Sequence, residues 1–188
     1  MPHDIKSMQL YPRATRVLAD LAHIGYAGQT PVPVAVLNRF DQLHYHGTEA
    51  LDAAIDACGL TAADKVLEVG SGWGGCARYI AQTSGAHVTA VERQEDYDQV
   101  ARDLTARAGL SPRVTHVNED FLEMEFTAGG FDHAVSWLAL FHIPDRPRYL
   151  ARLQAAVAPG GILFVEDLYA KAAPKDEADF QRHLFPNS

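Results

Sequence analysis

The stretch Val66-Leu67-Glu68-Val69-Gly70-Ser71-Gly72-Trp73-Gly74-Gly75 restricts this chain more than any other. A short apolar run, of the kind buried inside a sheet, turns through glycines straight into an amphipathic pattern. Glycine is needed in such a turn because a side chain would block the bend and keep a ligand from the backbone at the start of the helix. The alternation then continues. Apolar runs over 65–69, 87–91, 113–117, 131–137 and 162–166 are separated by helical patterns over 74–82, 95–108 and 146–158, the last closed by Pro159-Gly160-Gly161. Strands and helices in this order predict an α/β fold, a doubly wound parallel sheet with five strands visible.

Before the first strand the pattern is purely helical. Leu10, Val17, Leu18, Leu21 and Ile24 recur at helical spacing within 5–25, and Gly28, Pro31 and Pro33 end that run. A second helix is expected over 34–42, and a third from Thr48, read as its N-cap, to a stop at Gly59. Residues 1–60 are thus an N-terminal helical arm or cap, and residues 61–188 the sheet domain.

Composition narrows the function classes. A formal net charge of -8 without any clustered Lys/Arg run argues against a nucleic-acid partner, whose phosphates demand a basic face. No run approaches the ~18 apolar residues of a membrane span, and the first residues carry no apolar signal core, so a cytoplasmic location is expected. Cys58 and Cys76 sit inside helical patterns at unmatched spacing, which fits buried thiols rather than a disulfide.

Several residues carry candidate chemistry. Gly70, Gly72 and Gly75 also fit the dinucleotide pattern G-x-G-x-x-G, so the glycines do not choose a cofactor, and a tight turn without ligand is the plain alternative. Glu92 follows the second strand, 22 positions after Gly70, near the ~20 at which a carboxylate meets a ribose diol. A surface glutamate is the bland reading. Arg93 beside it either covers an adenine or is solvated. After the third strand, Asp120 and Phe121 offer a carboxylate and an aromatic face to a base, with core packing the alternative for Phe121; base stacking is worth about 1–3 kcal/mol. The fourth strand ends at Trp137 and Leu138, which could line the crevice where open parallel sheets bind ligands, and His142 in the following loop could face an acceptor. His44 and His46 form an H-x-H pair, but no third and fourth ligand is evident, so no metal is expected.

In this order, Glu68-x-Gly70-x-Gly72-x-Gly74, Glu92, Asp120-Phe121, the 137–142 loop and Pro159-Gly160-Gly161 before a strand, residues 65–167 resemble class I S-adenosylmethionine-dependent methyltransferases. Gly72-Trp73-Gly74-Gly75 and His44-Tyr45-His46-Gly47 resemble the branch holding glycine, sarcosine and dimethylglycine N-methyltransferases, phosphoethanolamine methyltransferases and cyclopropane fatty acid synthases. The resemblance implies a Rossmann-like fold and S-adenosylmethionine as cofactor, with Glu68, Gly70, Ser71, Gly72, Glu92, Arg93, Asp120, Phe121, Trp137 and Leu138 as its binding residues. In it the Gly70 carbonyl holds the methionine ammonium, Glu68 adds negative potential and Glu92 holds the ribose. It also implies that a tyrosine of the arm, Tyr45, closes over the cofactor. Tyr45 and His142 are therefore the candidate catalytic residues. The implied activity is methyl transfer to a small-molecule acceptor, N-methylation favoured over O- or C-methylation. A nicotinamide-dependent oxidoreductase and a non-catalytic S-adenosylmethionine-binding or regulatory subunit are the alternatives.

Class I enzymes resemble one another in having seven strands, the last two a hairpin beside the fifth, and that C-terminal hairpin is missing from the strands visible here. The fifth run, Ile162-Leu163-Phe164-Val165, is of the kind buried on both faces of a parallel sheet, with an outer edge that needs cover. A polar connector, a helix over 175–184 and Pro186-Asn187-Ser188 follow. The expectation is a domain incomplete at its C-terminus, truncation favoured over an edge completed by another copy or a different subunit, or over a minimal enzyme.

Overall fold

A computed structural model describes residues 13–168. The helix expected over 175–184, and the part of the first helical pattern before residue 13, lie outside the described residues. Among the described residues three helices come first: α1 (Arg16–His23), α2 (Val34–Leu37) and α3 (Gly47–Cys58). The alternation follows as β1 (Lys65–Val69), α4 (Gly75–Ser84), β2 (His87–Glu92), α5 (Glu95–Arg107), β3 (Val114–Asn118), β4 (His133–Trp137), a 3-10 turn (Leu140–His142), α6 (Arg146–Ala156) and β5 (Leu163–Glu166).

Among the described residues all strands are parallel, in the order β3-β2-β1-β4-β5. From β1 the chain runs outward to β2 and β3, then returns to the other side for β4 and β5. The reversal lies between β1 and β4, where open sheets form their ligand crevice. Side-chain alternation assigns β1 to two cores. Val66 packs with Leu51 of α3 and Ile80 of α4 on one face, while Leu67 and Val69 pack with Tyr149 and Leu153 of α6 on the other. The same period puts Glu68 on the Val66 face, toward α4.

The arm has a core of its own with α5. Val17, Leu21 and Leu37 join Tyr97, Val100 and Leu104 around Trp73, whose indole N–H donates to the Ala14 carbonyl at 2.8 Å. Trp73 also stacks on Tyr97 with ring centres 5.2 Å apart.

Three expectations are corrected. The second helix ends at Leu37 rather than at residue 42; the chain winds on in turns, with Phe40 and Asp41 N–H both on the Leu37 carbonyl, so that Asp41 is drawn inside to meet Arg78. The third helix is capped at His46, in left-handed conformation at φ 62°, not at Thr48, and no side chain caps it. Finally, β5 is not buried on both faces: Leu163 is 38% exposed, while Phe164 on the other face turns toward the α3–α4 core, and among the described residues only β4 pairs with this strand.

Candidate functional site

A cavity of about 410 Å³ opens at the carboxyl ends of β1, β2, β3 and β4. Its floor is the turn after β1. Gly70 and Ser71 N–H both bond the Val91 carbonyl, at 2.9 and 3.1 Å, and Gly74 N–H closes onto Ser71 O at 2.7 Å. Gly70 has φ 80°, and a β-carbon there would run into Ala139, so this position accepts no side chain.

Glu92 ends β2 with both oxygens engaged. Oε2 accepts the Gly72 N–H at 2.8 Å and Oε1 the Gln94 N–H at 2.8 Å, so the carboxylate braces the glycine turn from the neighbouring strand. Burial raises its pKa, and these two N–H groups oppose the rise. Asn118 secures the same corner from β3, donating to the carbonyls of Glu92 at 2.8 Å and Arg93 at 3.1 Å.

Glu68 is 1% exposed, and neither carboxyl oxygen has a well-formed hydrogen bond, only weak contact with the Ala77 N–H and the Cys76 thiol. Burial pushes its pKa to about 8; attraction to Arg78 opposes the rise, and Glu92 adds to it. The Ser71 hydroxyl and the Trp137 indole N–H are likewise buried without a partner. Buried polar atoms are nearly always satisfied, so such groups gathered around one cavity mark a place for a polar ligand.

The opposite wall comes from β3, β4 and the loops after them. Phe121 is buried against Phe126 and edge-on to Tyr149, at 5.9 and 5.6 Å between ring centres, so it lines the cavity and fills the core together. Asp120 beside it bonds the Leu122 N–H at 3.0 Å. Trp137 packs between His44 and Phe164, at 5.2 and 5.4 Å. Leu138 has φ 48°, a conformation that leucine rarely adopts. Burial lowers the pKa of His142 below its ordinary 6.5, against the pull of Asp167.

The structure brings eleven sequence-predicted residues together on this cavity: Glu68, Gly70, Ser71, Gly72, Glu92, Arg93, Asp120, Phe121, Trp137, Leu138 and His142. It leaves Tyr45 out. That side chain is 58% exposed, because the backbone there is held by Tyr45 N–H donating to Glu166 Oε1 at 2.9 Å, and the inward position belongs to His44 instead. Asp41 and Leu43 of the arm, with Cys76, Gln94 and Tyr97, are wall residues that no motif signalled, and His44, read in the sequence as part of an H-x-H pair and of the His44-Tyr45-His46-Gly47 stretch, stands beside them. Among the described residues no group of three or more His, Cys, Asp or Glu is placed to hold a metal ion, and no helix is long and apolar enough to cross a membrane.

Comparison with known proteins fits this geometry. A glycine/sarcosine/dimethylglycine N-methyltransferase of Actinopolyspora halophila is 31% identical over 60% of this chain and 20% of its own length. Methyltransferase GfsG of Streptomyces halstedii is 27% identical over 89% of this chain and 59% of its own, and further relatives are named sterol 24-C-methyltransferases. The chain thus spans under two thirds of these relatives' lengths. In structure it is similar to a phosphoethanolamine N-methyltransferase of Haemonchus contortus solved with S-adenosylhomocysteine, at a TM-score of 0.67 and 21% identity over 93% of this chain and 41% of that one, a likeness of Rossmann-like fold. The family model described as a methyltransferase domain matches residues 66–161, from the first buried residue of β1 to the glycine pair before β5, and on that match the chain belongs to the methyltransferase domain family.

Proposed function

We propose that the cavity binds S-adenosylmethionine and that the chain transfers the donor's methyl group to a small-molecule acceptor, with N-methylation favoured. The observation that carries the reading is the set of unsatisfied buried groups, Glu68, Ser71 and Trp137, around a cavity whose remaining wall is largely apolar. A ligand with a charged amino-acid end, a diol and an aromatic base fits that set. In this reading the Gly70 carbonyl and the Glu68 carboxyl face the donor's ammonium end, Glu92 takes the ribose diol, and Asp120 with Phe121 takes the adenine. Arg93, Ser71, Gly72, Trp137 and Leu138 complete the binding wall. Residues 1–60 act as its cap and residues 61–188 as the binding domain, in the cytoplasm, with the outer edge of β5 open to another copy or a completing subunit.

S-adenosylmethionine supplies a methyl group on a sulfonium, which needs no nucleophile from the protein. What the chain contributes is alignment and dryness: orientation of this kind accounts for about 7–11 kcal/mol of a barrier. His142, kept neutral by burial, is suited to orient an acceptor amine or to take its proton. Glycine, sarcosine, phosphoethanolamine and sterol acceptors appear among the names of similar proteins, so the atom methylated is the finer part of the reading.

Titration calorimetry with S-adenosylhomocysteine and, separately, with NAD+ tests the donor. Binding of the nicotinamide alone would overturn the assignment. Labelled S-adenosylmethionine with a panel of amines, alcohols and sterols then reads the acceptor, and label moving only to carbon would overturn the preference for nitrogen.

A further inference from the structure

We propose that Glu166 is the positioning residue that holds two walls of the cavity in register, an inference resting on the donor-binding reading above. Glu166 closes β5 and is not itself among the residues lining the cavity. Its contacts nonetheless reach both sides of it. Oε1 accepts the Tyr45 N–H at 2.9 Å, and Oε2 lies 3.4 Å from Nδ1 of His44, whose side chain is fully buried. Its backbone carbonyl accepts the Leu138 N–H at 2.8 Å, stabilising the left-handed turn that aims Leu138 at the cavity.

The segment from Asp41 to Tyr45 is a strap pinned at two ends. One end is the Asp41–Arg78 ion pair at 2.7 Å, in the interior. The other end is Glu166. Between them Leu43 presses on the glycine turn, its Cδ1 3.0 Å from where a β-carbon on Gly72 would stand. His44 is aligned within the strap as well: Gln42 Oε1 sits 2.8 Å from its Nε2, and the Gln42 amide is oriented by donating to Asn38 Oδ1 at 3.2 Å and Asp41 Oδ1 at 3.3 Å. The strap has no helix or strand of its own to hold its shape, so the carboxylate at residue 166 supplies what regular structure would. A group that touches neither ligand nor reacting atoms, but fixes the residues that do, acts on ligand residence more than on encounter.

The test is the dissociation rate of S-adenosylhomocysteine by stopped flow from wild type, Glu166→Gln and Glu166→Ala, with Trp137 emission read in a Trp73→Phe background. Glu166→Ala should speed dissociation about tenfold, the size of one charge-assisted hydrogen bond, with association changed less than about twofold. Glu166→Gln keeps an oxygen for the Tyr45 N–H and should fall between the two. Trp137 emission should shift in Glu166→Ala, because His44 packs against that indole. If Glu166→Ala does not fold, Glu166→Gln alone carries the test, and if Trp73→Phe does not fold, the dissociation rates do. Wild type that binds while both variants release ligand at its rate would overturn the proposal. Wild type that does not bind at all would instead overturn the donor reading.

Discussion

Glu92 Oε2 accepts the Gly72 N–H at 2.8 Å, and this bond ties the end of β2 to the turn after β1. Each carboxylate oxygen has a second lone pair, so Glu92 can receive a diol without releasing the turn. Glu92→Ala removes both actions. The expected outcome is a loss of S-adenosylhomocysteine affinity of about 1.5–3 kcal/mol, the range for hydrogen bonds to a charged group, together with a lower melting temperature from the unbraced turn. Calorimetry reads the first and thermal unfolding the second; unchanged affinity would remove Glu92 from the site.

Glu68 predicts an unusual pH dependence. In the unfolded chain its carboxyl ionises above 4.5, while in the fold burial holds the proton to about 8. The folded state therefore binds the extra proton, and the stability this contributes is full below pH 4.5 and lost as pH rises toward 8. Glu68→Gln cannot ionise. Its melting temperature relative to wild type should be higher at about pH 8 than at about pH 5, by an amount equivalent to a few kcal/mol, measured without ligand. An equal difference at both pH values would show that Glu68 titrates as an ordinary carboxyl.

Much of this architecture was legible in the sequence, for identifiable reasons. Strands inside a sheet read as short apolar runs, and helices beside them as amphipathic ones, so all five strands were located to within one or two residues, β5 included although one of its faces is not buried. The glycine turn, Glu92, Asp120, Phe121 and the 137–142 loop each lie at or just past the end of a strand, and topology alone delivers strand ends to one crevice. The strap could not be read in that way. Asp41, Leu43 and His44 have no period, and Asp41 meets Arg78 across 37 positions, a contact decided by tertiary packing. Tyr45 and His44 are neighbours, and which one faces inward depends on a backbone bond to Glu166, 121 positions away.

His142 is kept neutral near pH 7 by burial, with Asp167 pulling the other way. Asp167 also steadies the turn that carries it, accepting the Phe141 N–H at 3.3 Å. His142→Ala should lower kcat by about 10²–10⁴ if the ring moves a proton, while S-adenosylhomocysteine affinity stays within about threefold. The kcat/KM profile of wild type should fall on the acid side at a pH below 6.5, because protonation removes the base. Full turnover by His142→Ala with a known acceptor would end the assignment.

Arg78 lies wholly inside the protein, with Nη2 2.7 Å from Asp41 Oδ2 and Nη1 bonded to Thr105 Oγ1 at 3.0 Å and Ala101 O at 3.2 Å. Thr105 in turn meets His116 Nε2 at 2.8 Å, and burial first, then Arg78 and Arg102, pushes His116 down to about 3. A buried ion pair adds little net stability, since desolvation offsets the attraction, but removing one partner strands the other charge at a cost of about 3–5 kcal/mol. Asp41→Asn should therefore destabilise by that amount at about pH 5, where Glu68 is still protonated and cannot replace the lost charge. Toward pH 8 Glu68 ionises more readily beside the unpaired guanidinium, becomes its counter-ion, and should shrink the loss. Replacing both partners, as Asp41→Leu with Arg78→Met, leaves no stranded charge and should unfold at higher denaturant than Asp41→Asn. A double variant no more stable than Asp41→Asn would mean that the site contributes packing rather than charge.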